Sequence, residues 1–393
     1  MGKYNFDDII NRRNTLSLKW DVKENELPMW VADMDFTTAP EIISEMEERV
    51  KHGIFGYSII DDEWAMSYIN WWKERHNLSM KAEELVFCTG VIPAISSAVR
   101  KLTTPGEKVI VQTPVYNIFF NSIVNNGRFI LENPLKYDGN NYEMDFADLE
   151  KKLSDPQASL MLLCNPQNPA GKIWDRDTLA KVGSLCKKYG VTVVSDEIHC
   201  DIVRPGMEYV PFASASEECR EISVTCMAPT KCFNIAGIQT AAIYVPNPFL
   251  RHKMWRALNT DEVAEPNSFA INVAKAAFNN GKDWLCELNE YLFENRRFAE
   301  EYIEKNIPEL KAVKSDATYL IWIDGCRLFE NSEDFTVFLR EKTGLYITEG
   351  SEYGNTGKQF VRMNLACSKK VLGDGLDRLC KGVKLYSEEK RQR

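Results

Sequence analysis

Short runs of β-branched and aliphatic residues recur from Val86 to Val245, and between them the apolar positions are spaced as on one face of a helix. Strands are predicted at Val86–Thr89, Val109–Gln112, Phe129–Leu131, Leu160–Cys164, Val191–Ser195, Ile222–Met227 and Ala241–Val245. Helices are predicted at Ile95–Leu102, Tyr116–Asn125, Phe146–Leu153 and Thr178–Tyr189. Strands that are apolar throughout are buried on both faces, so the pattern predicts an α/β fold: a mostly parallel sheet between layers of helices. Upstream, Ala39-Pro40 opens a helix with Ile42, Ile43, Met46 and Val50 at helical spacing. The loop Gly53–Tyr57 ends it, and Trp64–His76 reads as a second amphipathic helix. One long helical region covers 268–306. Beyond it, strands at Tyr319–Ile323 and Phe360–Leu365 and helices at Phe335–Glu341 and Leu372–Leu385 predict a small α+β domain. The expected division is 1–50 as N-terminal arm and part of the small domain, 51–282 as the large domain, and 283–393 as the C-terminal small domain. Residues 1–27 are mixed and polar, an arm or short helix. Leu27–Phe36 is apolar, but Asp33 and Asp35 interrupt it, so it is not a plain core strand.

Composition narrows the partners. The 393 residues are 44% hydrophobic and 27% charged, ordinary for a chain with a large core. A net charge of -9 argues against a nucleic-acid surface, and the basic tail Lys390–Arg393 reads as a solvated end. No apolar run reaches membrane-spanning length, and the first residues show no apolar signal region, so no membrane partner is expected. Phe6 stands where a myristoylation site needs Ser or Thr. The 11 cysteines include no C-x-x-C pair and the 4 histidines no H-E-x-x-H, so no metal is expected. Scattered thiols fit a reducing, cytoplasmic setting. No glycine-rich nucleotide-binding motif occurs.

Chemistry gathers at the predicted strand ends, where open α/β sheets bind ligands. The strand Ile222–Met227 runs into Pro229, Thr230 and Lys231. Desolvation there favours a neutral amine, which can attack a carbonyl. Most lysines are surface residues, so this window alone favours a solvated strand cap. Gly90-Val91-Ile92 feeds a helix N-terminus whose N–H groups suit a phosphate, although in isolation it reads as an ordinary turn. Asn165–Gly171 contains two Asn-Pro units, a rigid loop that fixes Asn168 to donate to a ligand oxygen. Asp196 ends an apolar strand, where a carboxylate is costly unless paired, for instance with a protonated heterocyclic nitrogen.

These residues converge. Asn165–Gly171 matches the N-P-x-N-P-x-G loop of fold-type I pyridoxal-phosphate (PLP) enzymes, the class I/II aminotransferase superfamily. Ser195-Asp196-Glu197 and Thr230-Lys231-Cys232-Phe233-Asn234 resemble two further motifs of that superfamily, in the same order. Within it the chain most resembles the MalY/PatB-like cystathionine β-lyase (C–S lyase) branch. The carriers are Trp30–Phe36, Phe55-Gly56-Tyr57, Thr89–Ala94, Gln112–Tyr116 and Val194–His199. The resemblance implies a PLP-dependent transferase-like fold, with a large domain on a seven-stranded-type sheet and a small α+β domain. It implies a homodimer with a shared active site. It also implies roles: Lys231 as the lysine bonded to PLP, Asp196 opposite the pyridine nitrogen, and Asn168, with His199, at the ring hydroxyl. Tyr116 and Ile198 would flank the ring. Gly90, Val91, Ile92, Thr230 and a partner's Tyr57 would hold the phosphate. Arg362, with Ala32 and Tyr116, would bind the substrate, Arg362 clamping its α-carboxylate. Two positions depart from the general pattern: Gln239 replaces a common phosphate-binding Arg, and Ala228 replaces a common Ser. Gln there is common in the lyase branch.

The implied activity is β-elimination from cystathionine or cysteine-type thioethers, giving a thiol, pyruvate and ammonia. Lys231 would remove the Cα proton while PLP accepts the charge. The same residues serve an aminotransferase, and a PLP-retaining regulatory binding protein is a third reading.

Overall fold

A computed structural model describes residues 2–392. The predicted alternation builds a seven-stranded sheet from β1 (Leu85–Cys88), β2 (Lys108–Val111), β3 (Phe129–Glu132), β4 (Ala158–Cys164), β5 (Thr192–Asp196), β6 (Ser223–Met227) and β7 (Ala241–Tyr244). The spatial order is β1-β7-β6-β5-β4-β2-β3. β7 runs antiparallel to both its neighbours and the other pairings are parallel. Every residue of β6 and β7 is buried, which is why their sequences are apolar or small without alternation.

Helices around the sheet include α1 (Pro40–His52), α2 (Asp62–His76), α3 (Val91–Leu102), α4 (Pro248–Thr260), α5 (Ala270–Asn280) and α6 (Lys282–Asn306); α3 packs directly on the strands, α4 packs on α3, and α1 and α2 pack on α5. Several depart from expectation. α3 begins at Val91 rather than Ile95. α4 was not expected: Asn247 caps it by accepting from Phe249 N and Leu250 N, yet Phe249 and Trp255 on it are exposed, so it shows no clean apolar stripe. The region 268–306 holds two helices. They part at Gly281, where an added Cβ would run into the Phe233 ring and the Ala277 carbonyl. Val50, expected on the buried face of α1, is exposed.

The second body is an antiparallel sheet of β8 (Lys311–Ala312), β9 (Leu320–Asp324), β10 (Thr348–Glu349) and β11 (Phe360–Asn364), in the order β8-β9-β11-β10. Helices α7 (Ser332–Thr343) and α8 (Lys369–Gln392) accompany it. Leu27–Pro28 pairs in parallel with Leu345–Tyr346, and Leu27 and Met29 join this body's core. α6 serves both cores: Trp284, Leu285, Leu288 and Leu292 pack with the large one, Ala299 and Ile303 with the small one.

Residues 2–26 contain no helix; they are an arm. Arg12 pairs with Asp33 and Asp35 at 2.7 Å each, and the buried Lys19 with Asp35 at 2.8 Å. Those contacts explain the two carboxylates inside an apolar stretch. Among the described residues no helix is long and apolar enough to cross a membrane.

Candidate functional site

The carboxyl ends of β1, β4, β5 and β6 lie along one edge of the sheet and enclose a cavity of about 280 Å³. Gly90, Val91 and Ile92 line it at one end, with Thr230 and Gln239. Gly90 caps α3 without a side-chain cap bond, which leaves the helix's first N–H groups for an anion. Gln239 adds an amide, held in a left-handed turn at φ 56°. Lys231 is the single cationic side chain lining the cavity among the described residues, so an anion at this end meets mainly neutral donors.

Asp196 ends β5 in the cavity wall. Its Oδ1 accepts from Ile198 N at 3.1 Å, and burial pushes its carboxyl up to about 6. Such a carboxylate wants a cation, and a protonated ring nitrogen fits. Asn168, in the doubled Asn-Pro loop, accepts from Arg362 Nη1 at 3.2 Å through Oδ1, which leaves its Nδ2 hydrogens as donors. His199 lines the cavity with Nδ1 unpartnered, and burial drops its imidazole to about 3, so it is neutral. Tyr116 and Ile198 contribute apolar wall. An anion cradle, a buried carboxylate, neutral amide and imidazole donors and an amine together fit PLP.

Lys231 lines this cavity. Burial, and next the Arg362 charge, lower its amine to about 8 against the pull of Asp33 and Asp196. Its Nζ donates to Ala32 O at 2.6 Å. Arg362 stands behind the cavity rather than in its lining. Its Nη2 donates to Trp30 O at 2.9 Å, its Nε is unpartnered, and the Tyr353 ring lies 5.0 Å away. Tyr57 is outside this chain's cavity and 104% exposed.

Three residues contact this constellation without having been assigned a role from sequence. Tyr319 OH donates to Ala32 O at 2.9 Å, and Asn234 and Asn364 hold the segment around Ala32. Asn234 lies inside the lysine motif and Asn364 two residues past Arg362, and that adjacency was the available signal. Candidate ligand atoms of His76 and of the adjacent Cys200 and Asp201, 124 residues further along the chain, come within 4.8 Å of one another. The Asp201 carboxylate there accepts from Trp71 Nε1 at 3.0 Å and Arg75 Nε at 2.9 Å and meets His76 Nε2 at 3.0 Å, so protein donors already serve it.

Known proteins are similar to this chain along nearly its whole length. Residues 26–379 match the family described as aminotransferase class I and II. Cystathionine beta-lyase PatB of Bacillus subtilis (strain 168) is 43% identical over 383 residues, spanning 95% of this chain and 98% of that protein. Protein MalY of Escherichia coli (strain K12) is 31% identical over 389 residues, spanning 97% and 99%. The crystal structure of cystalysin from Treponema denticola, which contains a pyridoxal 5'-phosphate cofactor, is similar with a TM-score of 0.94. It is 33% identical, with 97% of this chain and 99% of that one covered.

Proposed function

The chain belongs to the class I and II aminotransferase family, and from that premise we propose a PLP-dependent carbon–sulfur β-lyase acting on cystathionine-type thioether amino acids. The observation that carries this reading is the 43% identity to a cystathionine beta-lyase across nearly the whole chain, on a cavity with lysine, aspartate and asparagine all in place.

PLP supplies the electron sink for the charge left when a Cα proton departs. The chain's residues bind, orient and move that proton. The Gly90–Ile92 amides, Thr230 and Gln239 would hold the phosphate. Asp196 would keep the ring nitrogen protonated, and Asn168 with His199 would bond the ring hydroxyl. Tyr116 and Ile198 would supply the apolar walls for the ring. Arg362 receives the substrate α-carboxylate beside Ala32. The Lys231 amine, neutral at lower pH than a surface lysine, takes the Cα proton. The Cβ–S bond then breaks, the sulfur leaving with its electron pair as thiolate. Water converts the remaining three-carbon unit to pyruvate and ammonia. Pure protein given cystathionine is expected to release pyruvate and free thiol without any added 2-oxo acid. Turnover that required a 2-oxo acid would replace this reading with an aminotransferase.

The reading extends to assembly. Val50, Ile54, Phe55, Tyr57, Ile59 and Ile60 are all exposed on the single chain, a row that soluble monomers avoid and a two-fold interface would bury twice. Ala236 and Gln239, at the anion end of the cavity, are exposed as well, so that end is open to a second subunit. We therefore take the protein to be a homodimer with Tyr57 of one subunit reaching the other's phosphate. Losing that hydrogen bond in Tyr57→Phe should cost about 1.5–3 kcal/mol of cofactor affinity. Mixing Tyr57→Phe and Lys231→Ala under subunit exchange should restore activity, because one site of each hybrid carries neither lesion. Absence of recovery, with exchange verified, would place Tyr57 in its own chain's site or in none. The same reading takes 51–282 as the large domain, and a cytoplasmic location suits the eleven free thiols.

A further inference from the structure

Residues 30–34 lie between two backbone hydrogen bonds to the end of β11. Asn364 N donates to Met29 O and Asp35 N donates to Ala366 O, each at 2.9 Å. The chain advances six residues on one side and two on the other, so the surplus bows out as an arch with Ala32 at its middle. This arch has no sheet partner, and its carbonyls need donors from elsewhere.

Side chains supply them. Asn364 Nδ2 donates to Val31 O and to Asp33 O, both at 2.6 Å, and so ties the two legs on either side of Ala32. Ala366 N donates to Asn364 Oδ1 at 2.7 Å, which fixes which way the amide faces. Asn234 pins the next residue through both backbone groups: Met34 N donates to its Oδ1 at 2.9 Å and its Nδ2 donates to Met34 O at 3.0 Å. At the apex, Ala32 O accepts from Lys231 Nζ at 2.6 Å and from Tyr319 OH at 2.9 Å. Asn234 lies three residues past Lys231 and Asn364 two past Arg362. The arch is therefore gripped by the two segments that carry the amine and the guanidinium.

A neutral amine that donates one N–H to a fixed carbonyl keeps its lone pair in a defined direction. Lysine has four side-chain torsions, and without such an acceptor the lone pair points wherever they allow. Orientation of this kind is a large part of what a positioned base contributes. We propose that Asn364 is a positioning residue: by closing the base of the arch it sets the Ala32 carbonyl that aims the free Lys231 amine at the substrate's Cα proton. The proposal rests on the reading of Lys231 as the group that takes this proton.

Asn364→Asp tests it. The change is isosteric and turns a donor facing two carbonyl oxygens into an acceptor facing them, which opens the arch. In the apoprotein, amide hydrogen exchange should accelerate over 30–36. In the loaded enzyme, PLP affinity should stay within about threefold, because the cofactor's own contacts lie elsewhere, while kcat falls at least about tenfold, the scale at which a misaligned base is felt. With Cα-deuterated cystathionine the isotope effect on kcat should rise, since proton removal has become the slow step. A purely structural role would lower the amount of active protein and leave the isotope effect as it was. A fall in kcat with an unchanged isotope effect, or a kcat within threefold of wild type, overturns the proposal. Tyr319→Phe removes only a hydroxyl at the apex and should raise the isotope effect in the same direction by less, so the proposal remains testable if Asn364→Asp does not fold. If the wild type yields no pyruvate, the lyase reading fails by itself. The isotope effect is then read in transamination, which removes the same proton.

Discussion

Lys231→Ala should abolish β-elimination, lowering kcat by at least about 10³-fold, because a positioned base alone contributes roughly 10²–10⁴ and this one also anchors the cofactor. The fold should survive. The Lys231 ammonium is disfavoured by burial and by Arg362, so its removal takes away a group the apoprotein accommodates at a cost. Phosphate-end donors, Asp196 and Asn168 all remain, so the variant should still bind PLP, now without a covalent bond. Two readouts check this independently of turnover. Borohydride should fix the cofactor on the peptide containing Lys231 in the wild type and on no peptide in the variant. The thermal midpoint of the apoprotein should not fall. Fixation at another lysine would remove Lys231 from its role.

The second largest loss is expected from Asp196→Ala, about 10²–10³-fold in kcat, the scale of stripping one partner from a buried charge pair. The ring nitrogen would lose the carboxylate that keeps it protonated, and proton removal at Cα would have a weaker sink. PLP should remain partly bound. The apoprotein offers a check free of catalysis. Burial raises the Asp196 carboxyl to about 6, so its contribution to stability is complete below the unfolded value near 4 and is lost as pH rises through 6. Asp196→Ala apoprotein should therefore lose less stability than wild type between pH 4 and 6. Glu197, raised by burial to about 7, keeps part of that slope in both proteins. Near-normal turnover in Asp196→Ala would contradict the assignment.

What the sequence disclosed follows from how each residue is held. Lys231, Asp196 and Asn168 sit at or just past the ends of apolar strands, and a polar residue at the end of such a run is conspicuous. Tyr319 and Asn364 are as close to the chemistry, but they occupy strand-like runs and meet Ala32 and its neighbours from 287 to 333 residues away. Nothing local marks such partners. Beyond the family resemblance, the arch reads locally as an apolar stretch interrupted by two carboxylates, because its order comes from side chains contributed by other segments. α4 escaped notice for the opposite reason: its exposed Phe249 and Trp255 blur the stripe by which helices are recognised. The loop Gly53–Tyr57 reads locally only as a helix break, and in the single chain Ile54, Phe55 and Tyr57 stay exposed and outside every core.

α6 runs without interruption for 25 residues, with its first half built into the large core and its second into the small one. At 1.5 Å per residue it is a beam of roughly 37 Å. Neither body can come apart without stripping that beam of half its burial, so their free energies of unfolding are not separable quantities. Heat or denaturant should therefore meet one cooperative unit, and a substitution in either core is expected to lower a single shared thermal midpoint.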